Sequence, residues 1–154
     1  MAAFTPPDSN FVPGEWRTVS FPALAGASFA NAAEANTALP FVATREIEID
    51  EVWYRDSAVT AVAGNFALGW TPSGTAVPAS GTTLAAANRI HDNISLLTGT
   101  VAANTAVKAT LTGGSVYSVP PGAQLFIWSS ANQSASALAG LVITIRYREK
   151  NIRG

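Results

Sequence analysis

A chain of 154 residues with nine basic and ten acidic side chains carries a net charge of −1, too balanced to grip nucleic acid through its phosphates. Only 12% of the residues are charged, about half the roughly 25% usual in soluble domains. Cysteine is absent and there is one histidine, which excludes a disulfide framework and leaves zinc without ligands.

The length suits a single domain, assigned to residues 15–154 behind an extended N-terminal arm, 1–14. Surface charge is what normally keeps copies of a protein apart, so its scarcity predicts self-association over a free monomer with a neutral polar surface. The opening MAAFTPPDSN lacks the basic and apolar regions of a secretory signal. No apolar run approaches the roughly 20 residues that span a bilayer. Cytoplasmic synthesis without a membrane partner is therefore expected, and the sequons at Asn93 and Asn132 are read as chance matches.

In chain order, the arm combines Pro6, Pro7, Pro13 and Gly14 with Phe4 and Phe11, the pattern of an extended segment that orders by docking its apolar anchors. EWRTVSF at 15–21 sets Trp16, Thr18 and Ser20 against Arg17, Val19 and Phe21, a first strand. The alanine-rich stretch from Pro22 to Pro40 reads as a loop with a short helix, since Gly26 and the flanking prolines oppose anything longer. From Phe41 to Arg55 comes the strongest strand signal, with Ile47 and Ile49 alternating against Glu46, Glu48 and Asp50. Shorter candidates follow at 58–63, 65–70, 94–97, 106–112, 115–119 and 124–129, separated by Gly64, Gly113-Gly114 and Pro120-Pro121-Gly122. The long break from Thr71 to Asn93 holds TTLAAANRIH, which predicts a short helix capped near Thr82 or Thr83. The last strand alternates Leu141, Ile143, Ile145 and Tyr147 with Val142, Thr144, Arg146 and Arg148. Eight or nine short strands with such punctuation predict an all-β, jelly-roll-like antiparallel β-sandwich.

Charge gives a pairing expectation. Seven of the nineteen charged residues fall in 45–56 and five more in 146–153. Glu46, Glu48 and Asp50 on one strand face and Arg146 and Arg148 on the other have opposite signs, which favours antiparallel neighbours by about 0.2–1 kcal/mol per opposed pair.

Chemistry is harder to find. Glu46, Glu48, Asp50 and Glu51 spread along a strand instead of converging, and no Asp-rich loop accompanies them, so neither calcium nor any other metal is expected. A nucleophilic triad would have to use His91, no Gly-x-Ser-x-Gly elbow is present, and Gly113-Gly114 lacks the Lys-Ser/Thr of a phosphate loop. No catalytic residue and no cofactor are assigned. Of the four tryptophans, Trp16, Trp53 and Trp128 sit in strand-like segments and are expected in the core or an interface, while Trp70 opens the long break and is expected at its rim.

The overall plan resembles the small jelly-roll decoration, or cement, proteins of tailed bacteriophage capsids. The resemblance covers the apolar-anchored arm, Phe41 to Arg55, the Ala/Thr/Ser/Gly-rich middle, VPPGAQLFIW at 119–128 and a final strand ending in YREKNIRG. It implies a structural homotrimer, assembled in a host cytoplasm, that sits on the virion capsid surface and stabilises contacts between subunits of the major capsid protein. Phe4, Phe11, Trp16 and Arg17 would then contact the shell or a neighbouring subunit. The alternative is a carbohydrate- or receptor-binding head of a phage fibre or tail, with Trp70, Asn88, Asp92 and Asn93 forming a rim that faces a glycan.

Overall fold

A computed structural model describes residues 14–25, 35–56, 65–79, 84–91, 94–95, 104–129 and 139–150. Phe4 and Phe11 of the arm, the 58–63 strand candidate, Thr82, Thr83, Asp92 and Asn93 lie outside the described residues. Among the described residues nine strands run in the order β1 (Arg17–Ala25), β2 (Ala35–Val42), β3 (Ile47–Arg55), β4 (Asn65–Thr71), β5 (Ile94–Ser95), β6 (Val107–Lys108), β7 (Tyr117–Val119), β8 (Gln124–Ser129) and β9 (Ala139–Glu149). They form two antiparallel sheets, β1-β9-β3-β6 with β7 also on β3, and β2-β8-β4-β5. The chain crosses between the sheets and returns its last strand beside its first, which is the jelly-roll arrangement.

The two sheets differ in how their outer faces are covered, and the sequence shows why. β3 and β9 alternate, sending Ile47, Ile49, Val52, Tyr54, Leu141, Ile143 and Ile145 into the sandwich and polar side chains outward. β8 is a continuous apolar run because it is buried on both faces. Leu125 and Ile127 fill the main core, while Phe126 and Trp128 join Ala67 and Leu84 in a second cluster on the outside of the sheet. The excursion after β4 covers that outer face with Leu84 and Val77. Among the described residues, the polar outer face is therefore that of the β1-β9-β3 sheet.

Several sequence expectations are corrected. Strand reaches further into Pro22 to Pro40 than expected: β1 continues through Pro22 to Ala25 and Ala35–Val42 is an edge strand, while residues 26–34, where the loop and short helix were expected, lie outside the described residues. Proline is tolerated there because both strands end their sheets, and the register slips after Phe21 and after Ala38. The 41–55 segment is split, Phe41 and Val42 belonging to β2. In 106–112 only Val107–Lys108 pair as a strand; Ala109 N–H still bonds Val52 O, and Leu111 pairs with His91 as an isolated bridge. The helix in the excursion is one 3-10 turn, Ala86–Asn88, with Ala85 at its N-cap and no side-chain cap.

Pro120-Pro121-Gly122 forms the turn into β8. Ala123 N–H donates to Pro120 O at 3.3 Å and Gly122 has a φ of +78°, the signature of a turn with proline then glycine at its centre. Gly122 N–H bonds Ala43 O and Ala43 N–H bonds Ala123 O, pinning this turn to the β2–β3 connection.

Candidate functional site

β3 and β9 lie side by side and antiparallel, with Glu48 opposite Arg148 and Ile49 opposite Tyr147. Register slips between Ile49 and Glu51, so Asp50 is the extra residue of a bulge and both Asp50 and Glu51 point outward at Arg146. The result is a lattice of ion pairs. Arg146 bonds both oxygens of Asp50 and lies 3.6 Å from Glu51; Arg148 Nε donates to Glu48 Oε2 at 2.7 Å. Lys150 Nζ reaches Glu46 Oε1 at 2.7 Å, Lys108 Nζ reaches Glu51 Oε1 at 2.8 Å, and Arg45 lies 3.6 Å from Glu149 at the strand end. Ten of the nineteen charged residues are thus neutralised pairwise in one region.

Trp16, just before β1, and Trp53 in β3 lie on this outer face and not in the core, since the two-residue period turns them outward with the charges. The Trp16 ring lies 5.5 Å from the Arg146 guanidinium carbon and 4.6 Å from that of Arg148, within cation–π range. Trp53 Nε1 donates to Glu51 Oε2 at 3.1 Å, and Lys108 Nζ sits 5.5 Å from its ring centre. Arg17, which opens β1, is half-buried. Sequence reasoning missed both aromatic–cation contacts, though the alternation Trp16-Thr18-Ser20 beside Arg146 and Arg148 held the signal.

The pairing shifts titrations in the expected directions. Hydrogen bonds from Lys108 and then Trp53 hold the Glu51 carboxyl below the usual carboxylate range, and the hydrogen bonds that Arg146 donates to Asp50 push its guanidinium up. A carboxyl lowered on folding stabilises the fold above its unfolded pKa, about 4.3, and loses that contribution as pH falls through the folded value. The stability gap between the protein and its Glu51→Gln variant should stay constant from neutral pH to about 5 and close in more acid solution. Urea midpoints across that range measure it.

A cleft of about 460 Å³ opens where residues 109–116 leave the sheet edge, lined by Asp50, Glu51, Lys108, Thr110, Leu111 and Ser115. Its carboxylates already serve Arg146 and Lys108, and among the described residues no three His, Cys, Asp or Glu side chains are placed to hold a metal.

His91 is fully buried and ties the sheets together. Leu68 N–H of β4 donates to its Nε2 at 2.9 Å, so that nitrogen is unprotonated, and the Tyr54 hydroxyl of β3, 2.7 Å away, must donate to it too. Burial pushes the Tyr54 phenol well above its ordinary pKa, keeping it a donor.

Of the expected rim, Trp70 and Asn88 come together, Asn88 Nδ2 donating to Trp70 O at 3.0 Å. Trp70 Nε1 donates to Tyr117 Oη, which donates in turn to Ala87 O, and the half-buried indole packs on the main core. This network joins the sheets and the 3-10 turn at one end of the sandwich. Comparison with protein families, curated proteins and solved structures returns no match to this chain.

Proposed function

We propose that this protein is a structural subunit, a homotrimer that attaches to the outside of a viral capsid and stabilises contacts between coat subunits. One observation carries the reading: where the charge is, and where it is not. More than half of the charged residues neutralise one another on and beside one sheet face. The end strands of the two sheets, β1 and β2, have nine and eight residues and share one charged side chain, Arg17. They meet on one side of the sandwich, where Phe21 and Phe41 pack edge-to-face at 6.1 Å.

Uncharged edge strands are surfaces that proteins either guard or use. Pro22, Pro40 and the register slips of both strands interrupt any long ladder a neighbour could add, so side-chain packing against exposed Ala38, Pro40 and Val42 is the mode this wall favours. Three copies bound together would sum weak contacts to the shell through their effective local concentration. Glycan binding at the Trp70 rim draws less support, because the polar edge of that indole is engaged by Tyr117.

The test is light scattering and co-sedimentation with undecorated capsids. The protein should run as a trimer and pellet with the particles, while Val42→Asp, a change at a residue 50% exposed, should keep the circular dichroism spectrum and weaken trimer formation. A monomer that fails to pellet would refute the assignment.

A further inference from the structure

The paired lattice on the β1-β9-β3 sheet is neutral by count but not layered evenly. In its four pairs on the sheet face the basic side chains are 37–47% exposed, against 13–32% for the carboxylates beneath them. Acids form the floor, on and just before β3, and cations the outer layer. Arg146, Arg148 and Lys150 project from alternate residues of β9 and its end, so neighbours stand about 6.6 Å apart in a row. Each arginine is fixed on two sides. Its Nε–Nη2 edge grips a floor carboxylate and its guanidinium lies near the Trp16 ring, contacts in which Nη1 takes no part.

We propose that this face is a docking surface for an extended, carboxylate-bearing protein segment, read by the row Arg146, Arg148 and Lys150. A guanidinium can serve two carboxylates, one on each edge of its fork, so a partner's acids can be bound without breaking the floor pairs. Because the side chains are already held, little rotamer freedom is lost on binding. An extended strand displays alternate side chains at the same repeat as the row, which matches acid to base one for one.

The layering also decides against nucleic acid. A phosphate polymer is drawn by a net positive field acting over distance, and here each cation has its own carboxylate within ion-pair range, so the field fades within about one Debye length, 8–10 Å. Only contact-range matching is left. That favours discrete, regularly spaced carboxylates over a continuous polyanion, whether or not the chain assembles with its own copies.

The test uses the full chain and a fluorescein-labelled peptide of alternating threonine and glutamate, followed by anisotropy at low salt. Saturable binding is expected, weakened about tenfold by Arg148→Gln and less by Lys150→Gln, a change at the exposed end of the row. Glu46→Gln, which removes a floor acid, should tighten binding. A face whose charges serve only the fold would not respond in that direction. Circular dichroism on each variant separates lost binding from lost structure. The proposal is overturned if the peptide does not bind saturably, if the substitutions leave binding unchanged, or if an oligothymidine of equal length binds as tightly.

Discussion

Replacing His91 with leucine is expected to destabilise the protein by about 3 kcal/mol, seen as a lower urea midpoint at unchanged slope. Leucine nearly matches the imidazole in volume, so the loss is one of hydrogen bonding and not of packing. Two donors converge on Nε2, the Leu68 N–H at 2.9 Å and the Tyr54 hydroxyl at 2.7 Å, and neither reaches water. Stranding a buried donor costs about 1–3 kcal/mol, and His91→Leu strands two. Tyr54→Phe removes one donor and leaves the acceptor served by Leu68, so its cost should be nearer 1 kcal/mol. In the double variant Tyr54→Phe/His91→Leu one stranded donor disappears, so the two changes together should cost less than their sum. Equal stability of His91→Leu and the parent would mean that the link between the sheets contributes nothing.

This histidine also marks where sequence reasoning stops. A histidine in the excursion suits either a polar loop residue or a packed end cap, and nothing local shows that residues 89–91 thread between Leu68 and Leu111. Long strands were legible: the alternations 46–50 and 141–148 state which side chains face inward, and the opposed signs of Glu48 and Arg148 state which strands meet. The bulge at Asp50 was not legible, since the pattern through Glu51 and Val52 shifts phase by one residue, and only the register against Arg146 reveals it. β2 was hidden for a different reason. Pro40 and the alanines argue against strand in isolation, and the sheet overrides them because an edge position asks little of its backbone donors. The bulk of Trp16 and Trp53 predicts a core or an interface without choosing between them, and says nothing about a cation waiting on the outer face.

Gly69→Ala should cost about 1–3 kcal/mol, although alanine is ordinarily better than glycine within a strand. Gly69 stands opposite Phe126, and the aromatic ring lies over the bare backbone as it does where a cross-strand aromatic compensates a glycine. A methyl group there would lie 2.7 Å from Phe126 Cζ and 2.9 Å from Leu84 Cδ1. Both neighbours are buried, so neither can swing into solvent. Moving the ring disturbs the cluster of Ala67, Leu84, Phe126 and Trp128 that holds the excursion against the outer face of its sheet. The change should therefore raise hydrogen exchange in residues 84–91 more than in β3 or β9, whose packing lies on the other side of the sandwich. Pairing Gly69→Ala with Phe126→Leu supplies the control. Each change alone is destabilising, the second by leaving a void, and the methyl group that Gly69→Ala adds fills part of that void, so the double variant should be more stable than the two losses added together. Strict additivity would show that Gly69 is set by backbone conformation and not by the ring above it.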